Sequence, residues 1–157
     1  MELRTDGLDL WVFRRDADAV RYLLLHTSQE KADRWFGGGR FWQIPGALVA
    51  SGETVVAAAN RCLAELALSA ESLWAVEHVY PIYNRRTESM ILIPVFAAQV
   101  ARETRDVTLD WEHSEYRWCT ADECAQLLSF RGLKEGLEWT RAYITESPDP
   151  RPEFRLV

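Results

Sequence analysis

Apolar residues along this chain fall into short runs parted by polar stretches, and the spacing within each run differs. Leu8–Phe13 alternates imperfectly between apolar and polar positions, which predicts a strand. Ala19–His26 predicts a second, more deeply buried strand, with the polar stretch Arg14 to Asp18 turning between them. From Thr27 to Arg40 the pattern lapses and a polar loop is expected. Its run Gly37-Gly38-Gly39 predicts mobility; cradling a phosphate is the less common use of such a run. Phe41–Ile44 predicts a short strand stopped by the turn pair Pro45-Gly46.

The period then changes. Val55, Val56, Ala59, Cys62, Leu63 and Leu66 fall on one stripe of a helix predicted over Glu53–Leu66. Ser51 or Gly52 would cap it, and Glu53 would sit at the positive end of its dipole. Leu73–Tyr83 and Ser89–Val100 predict two longer strands, with Pro94 marking an edge or a bulge in the second. Tyr116–Cys119 predicts the last strand. Thr120 with Glu123 predicts a capped helix, and Gly132–Thr145 a final one. Pro148, Pro150 and Pro152 predict an extended tail over 148–157, following a single domain over 1–147. Strands on either side of a central helix, with more helix at the end, predict an α/β sandwich around a mixed sheet.

Composition narrows the function classes. The 157 residues suit one core, and 48% apolar with 27% charged residues excludes a mainly disordered chain. Eighteen Lys and Arg against 24 Asp and Glu give a net charge of -6, which disfavours long nucleic acid but not a small phosphorylated ligand. Cys62, Cys119 and Cys124 match no metal-binding spacing and read as reduced thiols of a cytoplasmic protein. The polar start predicts no signal peptide, and no apolar run reaches membrane-spanning length, so no membrane partner is expected.

The candidate chemistry lies in Trp42-Gln43-Ile44-Pro45-Gly46-Ala47-Leu48-Val49-Ala50-Ser51-Gly52-Glu53 and in Arg61-Cys62-Leu63-Ala64-Glu65-Leu66-Ala67-Leu68. This segment resembles the signature of the Nudix hydrolase family, G-x5-E-x7-R-E-U-x-E-E-x-G-U with U aliphatic. Glu53, Arg61, Leu63 and Glu65 fall on matching positions without a gap, and Ala47 on the first glycine. The resemblance implies an α/β/α sandwich over about residues 8 to 145. It also implies Mg2+ (or Mn2+) held by Glu65, Glu53 and the Ala47 carbonyl, with Arg61 orienting a carboxylate. The implied reaction is pyrophosphate hydrolysis of a nucleoside diphosphate linked to another group, and dimers are frequent among such relatives, so a homodimer is an open expectation.

Three departures from the signature carry consequences. Cys62 and Leu66 replace two of its glutamates, and Leu68 its later glycine. On a helix, residues 61, 62, 65 and 66 share one face, where clustered carboxylates would bind a hard cation. A thiol is a soft ligand and leucine none. Loss of a general base alone typically costs about 10²–10⁴ in rate, or ~3–5 kcal/mol of barrier.

A second constellation, Glu112-His113-Ser114-Glu115-Tyr116-Arg117-Trp118, resembles Nudix members acting on dinucleoside polyphosphates or related nucleoside triphosphates. Those members often place an extra acid in this loop. Glu112 is the candidate base, with Glu115 behind it. Arg85, Arg86 and Arg40 (with Arg34) are candidates to meet phosphates, and Trp42, Tyr83, Trp35 and Phe36 to stack a planar group. Two readings stay open: a pyrophosphohydrolase of weak or altered activity, and a non-catalytic module that binds a nucleotide or related metabolite.

Overall fold

The alternation that marks Leu8–Phe13 as a strand also divides the molecule into layers. The computed structural model describes residues 1–157. Strand β1 is Glu2–Arg4, β2 Gly7–Arg15 and β3 Val20–Thr27. Helix α1 is Gln29–Trp35, followed by β4 Trp42–Gln43, β5 Gly46–Leu48 and α2 Val55–Glu65. Then come β6 Ser72–Asn84, β7 Ser89–Gln99, β8 His113–Cys119, α3 Ala121–Leu127 and α4 Arg131–Thr140. Leu8, Leu10 and Val12 of β2 face α2 with Leu23, Leu25, Ala59 and Leu63. Trp11 and Phe13 face the other way, into a core with Tyr22, Leu24, Leu133 and Leu137. Side chains on a strand point to opposite faces in turn, so one mixed sheet carries two cores and a helical layer on each side.

The sheet is forked at the point where the candidate segment enters. β2 and β3 pair antiparallel near their shared turn, Phe13 with Tyr22 and Arg15 with Val20. Farther along they part. Gly7–Asp9 of β2 pairs with β5, and Leu25–His26 of β3 pairs with β4. Pro45, between β4 and β5, accepts a hydrogen bond from the Leu10 N–H at 2.8 Å. The Trp42–Leu48 segment thus wedges the two halves of the sheet apart, and the second half of α2 meets it there, Cys62 at the Gly46 carbonyl and Arg61 at the Leu48 carbonyl. On the outer side of β2, β7 runs parallel to it and to β1, and antiparallel to β6; β8 flanks β3.

Several local expectations are corrected. The stretch Thr27 to Arg40 contains α1, capped by Ser28, whose hydroxyl accepts from the Lys31 N–H at 3.0 Å. Seven residues with only Lys31 and Ala32 buried carry too little periodicity to be read from sequence. Gly37 and Gly38 take φ of +67° and +88° and close this helix, the N–H groups of Phe36 and Gly38 both reaching the Ala32 carbonyl at 2.9 Å. The run therefore serves as the cap of this helix.

Helix α2 starts later than expected, because Thr54 and not Ser51 or Gly52 caps it, accepting from the Ala57 N–H at 3.1 Å. It ends on Ala67 at φ +58°, with Leu68 N–H on the Leu63 carbonyl at 2.8 Å and Ala67 N–H on Ala64 at 3.0 Å. The left-handed position thus falls one residue before the place of the signature's glycine, which frees Leu68 to turn inward and be buried.

Pro94 lies on no edge, since β7 is paired on both sides. It faces Val79, in the interval where the parallel partner changes from β1, ending at Ile91, to β2, starting at Val95. The bulge beside it is real: Val76 and Glu77 are extra on β6, with Glu77 at φ +59°. Thr120 and Glu123 form the expected capping box. α4 runs on through a wider turn over Arg141–Thr145. The tail makes one tight turn, Pro152–Phe154, and then rejoins β6, Leu156 N–H donating to the Leu73 carbonyl at 2.7 Å.

Candidate functional site

Arg61 is the organising group on the exposed face of α2. Its Nε and Nη2 each donate to a Glu53 carboxylate oxygen at 2.9 Å, and Nη2 also reaches the Leu48 carbonyl at 2.7 Å. The Ala50 N–H donates to Glu53 Oε2 at 2.8 Å. The Arg61 fork first, and the Ala50 N–H after it, pull the Glu53 carboxyl down to about 2. Both Glu53 oxygens are therefore spent on holding the loop before α2 to the helix. Glu65 is exposed, its nearest partner being Arg61 Nη1 at 3.7 Å.

Cys62 and Leu66 point from the same helix into the core side. Cys62 is 5% exposed, and its thiol donates to the Gly46 carbonyl at 3.4 Å. Burial, and then the charges of Glu65 and Asp9, push that thiol up to about 12, so no thiolate ligand forms at neutral pH. Leu66 packs against the α2 core. Ala47 pairs with Leu8 in the fork without crowding; the glycine the turn requires is Gly46, where a Cβ would lie 2.6 Å from Asp9 Oδ1 and 2.9 Å from the Leu8 carbonyl.

Beneath these groups lies a small cavity of about 60 Å3, lined among others by Cys62, Glu65, Leu66, Asp110, Glu112 and His113. The Asp110 carboxylate accepts from the Glu112 N–H at 2.9 Å and so shapes this loop. Glu112 Oε1 lies 3.2 Å from the ammonium of Lys31, a lysine only 7% exposed. Burial first, and Lys31 after it, depress His113 to about 4, and its Nε2 is buried without a hydrogen-bond partner. Glu115 stands apart on β8, 3.7 Å from His26 Nδ1. Asp9, on the sheet beside Gly46, accepts a hydrogen bond from Tyr80, and burial raises its carboxyl to about 7.

Sequence spacing does not single out Lys31, Asp9 or Tyr80. The available signal was Asp9 itself, a carboxylate on the inward side of an otherwise apolar strand. Lys31 offers none, since a seven-residue helix with two buried positions carries no helical period.

A divalent cation such as Mg2+ needs several oxygen ligands converging in near-octahedral geometry. Nowhere do three His, Cys, Asp or Glu side chains converge in that way. Glu53 is held by Arg61, Cys62 is a protonated thiol, Leu66 has no donor atom, and Glu112 already faces an ammonium. The residues present do not fit that ion.

A second, larger cavity measures about 890 Å3 and is lined in part by Leu48, whose carbonyl holds Arg61. Its lining includes four arginines, Arg4, Arg40, Arg85 and Arg86, and five aromatic residues, Trp35, Phe36, Phe41, Tyr83 and Phe130, but no Asp or Glu. Two of the arginines are committed elsewhere. Arg4 forks onto Asp6, and Arg40 donates to the Thr27 carbonyl at 2.8 Å as well as to His26 and Ser114. Arg85 and Arg86, at the tip of the β6–β7 hairpin, hold no carboxylate. Asn84 fixes their turn by accepting from the Arg86 N–H at 3.0 Å, and Tyr83 does so through Glu88 at 2.6 Å. Phe36, Phe41 and Phe130 stack edge to face across the opposite wall, with ring centres 4.9 and 4.7 Å apart.

Tyr83, Arg85, Arg86 and Arg40 are thus gathered around one cleft. Trp42 is not among them: it is 8% exposed, stacked on His26 at 4.5 Å with the Arg117 guanidinium 5.0 Å from its ring. Burial in the fork of the sheet removes it as a platform for a ligand. Arg34 is likewise turned away, onto Glu30 and the Trp111 ring.

Comparison with known proteins gives a consistent relationship. The family model for the NUDIX domain matches residues 4–142. A NUDIX hydrolase structure from Listeria monocytogenes superposes with a TM-score of 0.75 at 19% identity, covering 91% of this chain and 96% of that one. The C. elegans Ap4A hydrolase gives 0.63 at 19% identity, covering 90% of this chain and 99% of that one. The NUDIX domain of Shewanella oneidensis NrtR, complexed with ADP ribose, gives 0.68 at 17%, covering 90% and 89%. At these identities the likeness is one of fold. No curated protein matches the chain in sequence.

Proposed function

This chain belongs to the Nudix family, and from that premise we propose that it binds a small phosphorylated ligand bearing a planar group, a nucleotide or close relative, without hydrolysing it efficiently. The observation that carries this reading is the cleft with four arginines, five aromatic rings and no carboxylate in its lining. Guanidinium groups match phosphate oxygens in forked pairs, and an aromatic wall offers a stacking face to a base. Arg85 and Arg86 are the phosphate-binding pair, because they alone of the four arginines hold no protein partner. Arg40 and Arg4 contribute positive potential from fixed positions, and Tyr83 and the phenylalanine wall bracket the planar part. The NrtR domain's ADP ribose complex supports a ligand of this class on this fold.

Nudix hydrolases generally use a divalent metal such as Mg2+. Here Cys62 and Leu66 occupy two signature glutamate positions, so the helix that would carry that chemistry supplies a loop clamp, Arg61 on Glu53, and one exposed acid, Glu65. A cytoplasmic setting belongs to this reading, with Cys62, Cys119 and Cys124 all buried and free. No helix is long and apolar enough to cross a membrane.

Calorimetric titration with ADP, ADP-ribose and a dinucleoside polyphosphate tests the reading. Binding to the native protein and a loss of roughly tenfold or more in Arg85→Ala or Arg86→Ala is expected, ~1.4 kcal/mol or more for each lost charged contact. Absence of binding at millimolar ligand overturns it. The alternative, a weak pyrophosphohydrolase, draws on one observation: Glu65, Asp110 and Glu112 line the same small cavity. Mg2+-dependent turnover of the native protein that disappears in Glu65→Gln would establish that alternative. A silent native protein made active by Cys62→Glu with Leu66→Glu would instead date the loss to those two positions.

A further inference from the structure

The small cavity under α2 carries a charge problem of its own. Glu65, Asp110 and Glu112 line it, and no Lys or Arg does. Asp9 is not in its lining but lies against Gly46, which is. Arg61, the nearest guanidinium on the helix, is turned to Glu53. One cation enters from another layer of the fold. Lys31 projects from α1 with its ammonium 3.2 Å from Glu112 Oε1, and its charge acts on both the Asp9 carboxyl and the His113 ring. Lysines are almost never this buried unless paired, since an uncompensated interior charge is costly. The pairing is also specific to this architecture: β8 begins at His113, and the Ser28 N–H donates to the Glu112 carbonyl at 2.8 Å, so the start of α1 and the Glu112 loop are tied together.

We propose that Lys31 is the built-in counter-ion of this centre, its ammonium compensating Glu112 where the acids of the cavity would otherwise call for a divalent cation. An ammonium on Glu112 repels a dication from the same carboxylate, and the three acids are thereby left without the shared cation that would draw them together. The native protein accordingly takes up neither Mg2+ nor Mn2+ at this place, and its stability is indifferent to both. Removing the ammonium alone reverses the situation. Glu112, with Glu65 and Asp110 of the same lining, is then left without a compensating charge, and a hard divalent ion is the natural complement of such a set. This inference rests on the reading of the α2 face and not on the cleft, so failure of nucleotide binding leaves it standing.

The test measures Mn2+ binding by the electron paramagnetic resonance of the free ion, together with thermal melting in EDTA and in millimolar Mn2+. Native protein is expected to bind no Mn2+ and to melt at the same temperature in both. Lys31→Gln is expected to melt lower in EDTA, to recover in Mn2+ and to take up the ion. Lys31→Gln with Glu112→Gln is expected to regain stability without metal and to bind none. Mn2+ uptake by the native protein overturns the proposal, as does a folded Lys31→Gln that ignores Mn2+. Should Lys31→Gln fail to fold, refolding in millimolar Mn2+ decides: recovery supports the counter-ion role and continued failure overturns it.

Discussion

Asp9 interrupts the inward face of β2, and its surroundings hold its carboxyl close to neutral pH. Burial raises it to about 7, against the opposing pull of the Tyr80 hydroxyl and of Lys31. Below about pH 4 the group is protonated in folded and unfolded chains alike and does not affect stability. As pH rises from about 4 to about 7 the unfolded chain ionises while the folded one resists, so the folded state loses ground over that interval. Above it the penalty is constant. Asp9→Asn removes this contribution, and melting curves of the variant and the native protein should diverge between pH 4 and 7, the variant gaining. Glu53 acts in the opposite sense, because Arg61 holds its carboxyl at about 2: the fork stabilises above the ordinary carboxyl range and is lost as pH falls toward 2. An Asp9→Asn protein whose melting temperature tracks the native one at every pH would remove the buried-carboxyl account.

At the scale of elements, the position of α4 depends on absent side chains. Gly132 faces the Tyr80 ring so closely that a Cβ there would fall inside its van der Waals surface, and Gly136 meets the Trp11 indole nitrogen at 3.1 Å from where a Cβ would sit. One turn apart on the same face, the two glycines let α4 settle onto β6 and β2. Tyr80 is thus braced by α4 from behind as it donates to Asp9. Gly132→Ala should gain in intrinsic helix propensity yet destabilise the fold by about 1–3 kcal/mol through overpacking. Chemical denaturation of that variant checks the sign; stabilisation would mean that α4 slides outward freely. The short α1 matters more than its length suggests. It carries Lys31 to Glu112 and places Trp35 and Phe36 on the wall of the large cleft.

Over the whole molecule, charge is distributed against the average. The chain bears a net charge of -6, while the lining of the cleft at the β6–β7 hairpin contains four arginines and no acid. Such a patch concentrates small anions locally, whereas the surrounding negative surface repels extended polyanions. Affinity for a nucleotide should therefore fall on the order of tenfold between 0.05 and 0.5 M salt as the Debye length shortens. Duplex nucleic acid should show no binding at the lower salt. Titrations at several salt concentrations check both, and a salt-independent nucleotide affinity would place the ligand away from the arginines.

The sequence by itself determined the layers, because period-two and period-3.6 patterns report which side of each element is buried and need no partner to be read. It also determined the substitutions at Cys62 and Leu66, since spacing along one helix fixes which residues share a face. Tertiary structure decided the rest. Trp42 became core because the sheet forks around it, and Arg40 became a strut because Thr27, His26 and Ser114 surround it. Lys31 meets Glu112 across 81 positions. Contacts between groups that distant along the chain leave no local period to detect, and they exist only once the sheet has brought its edges together.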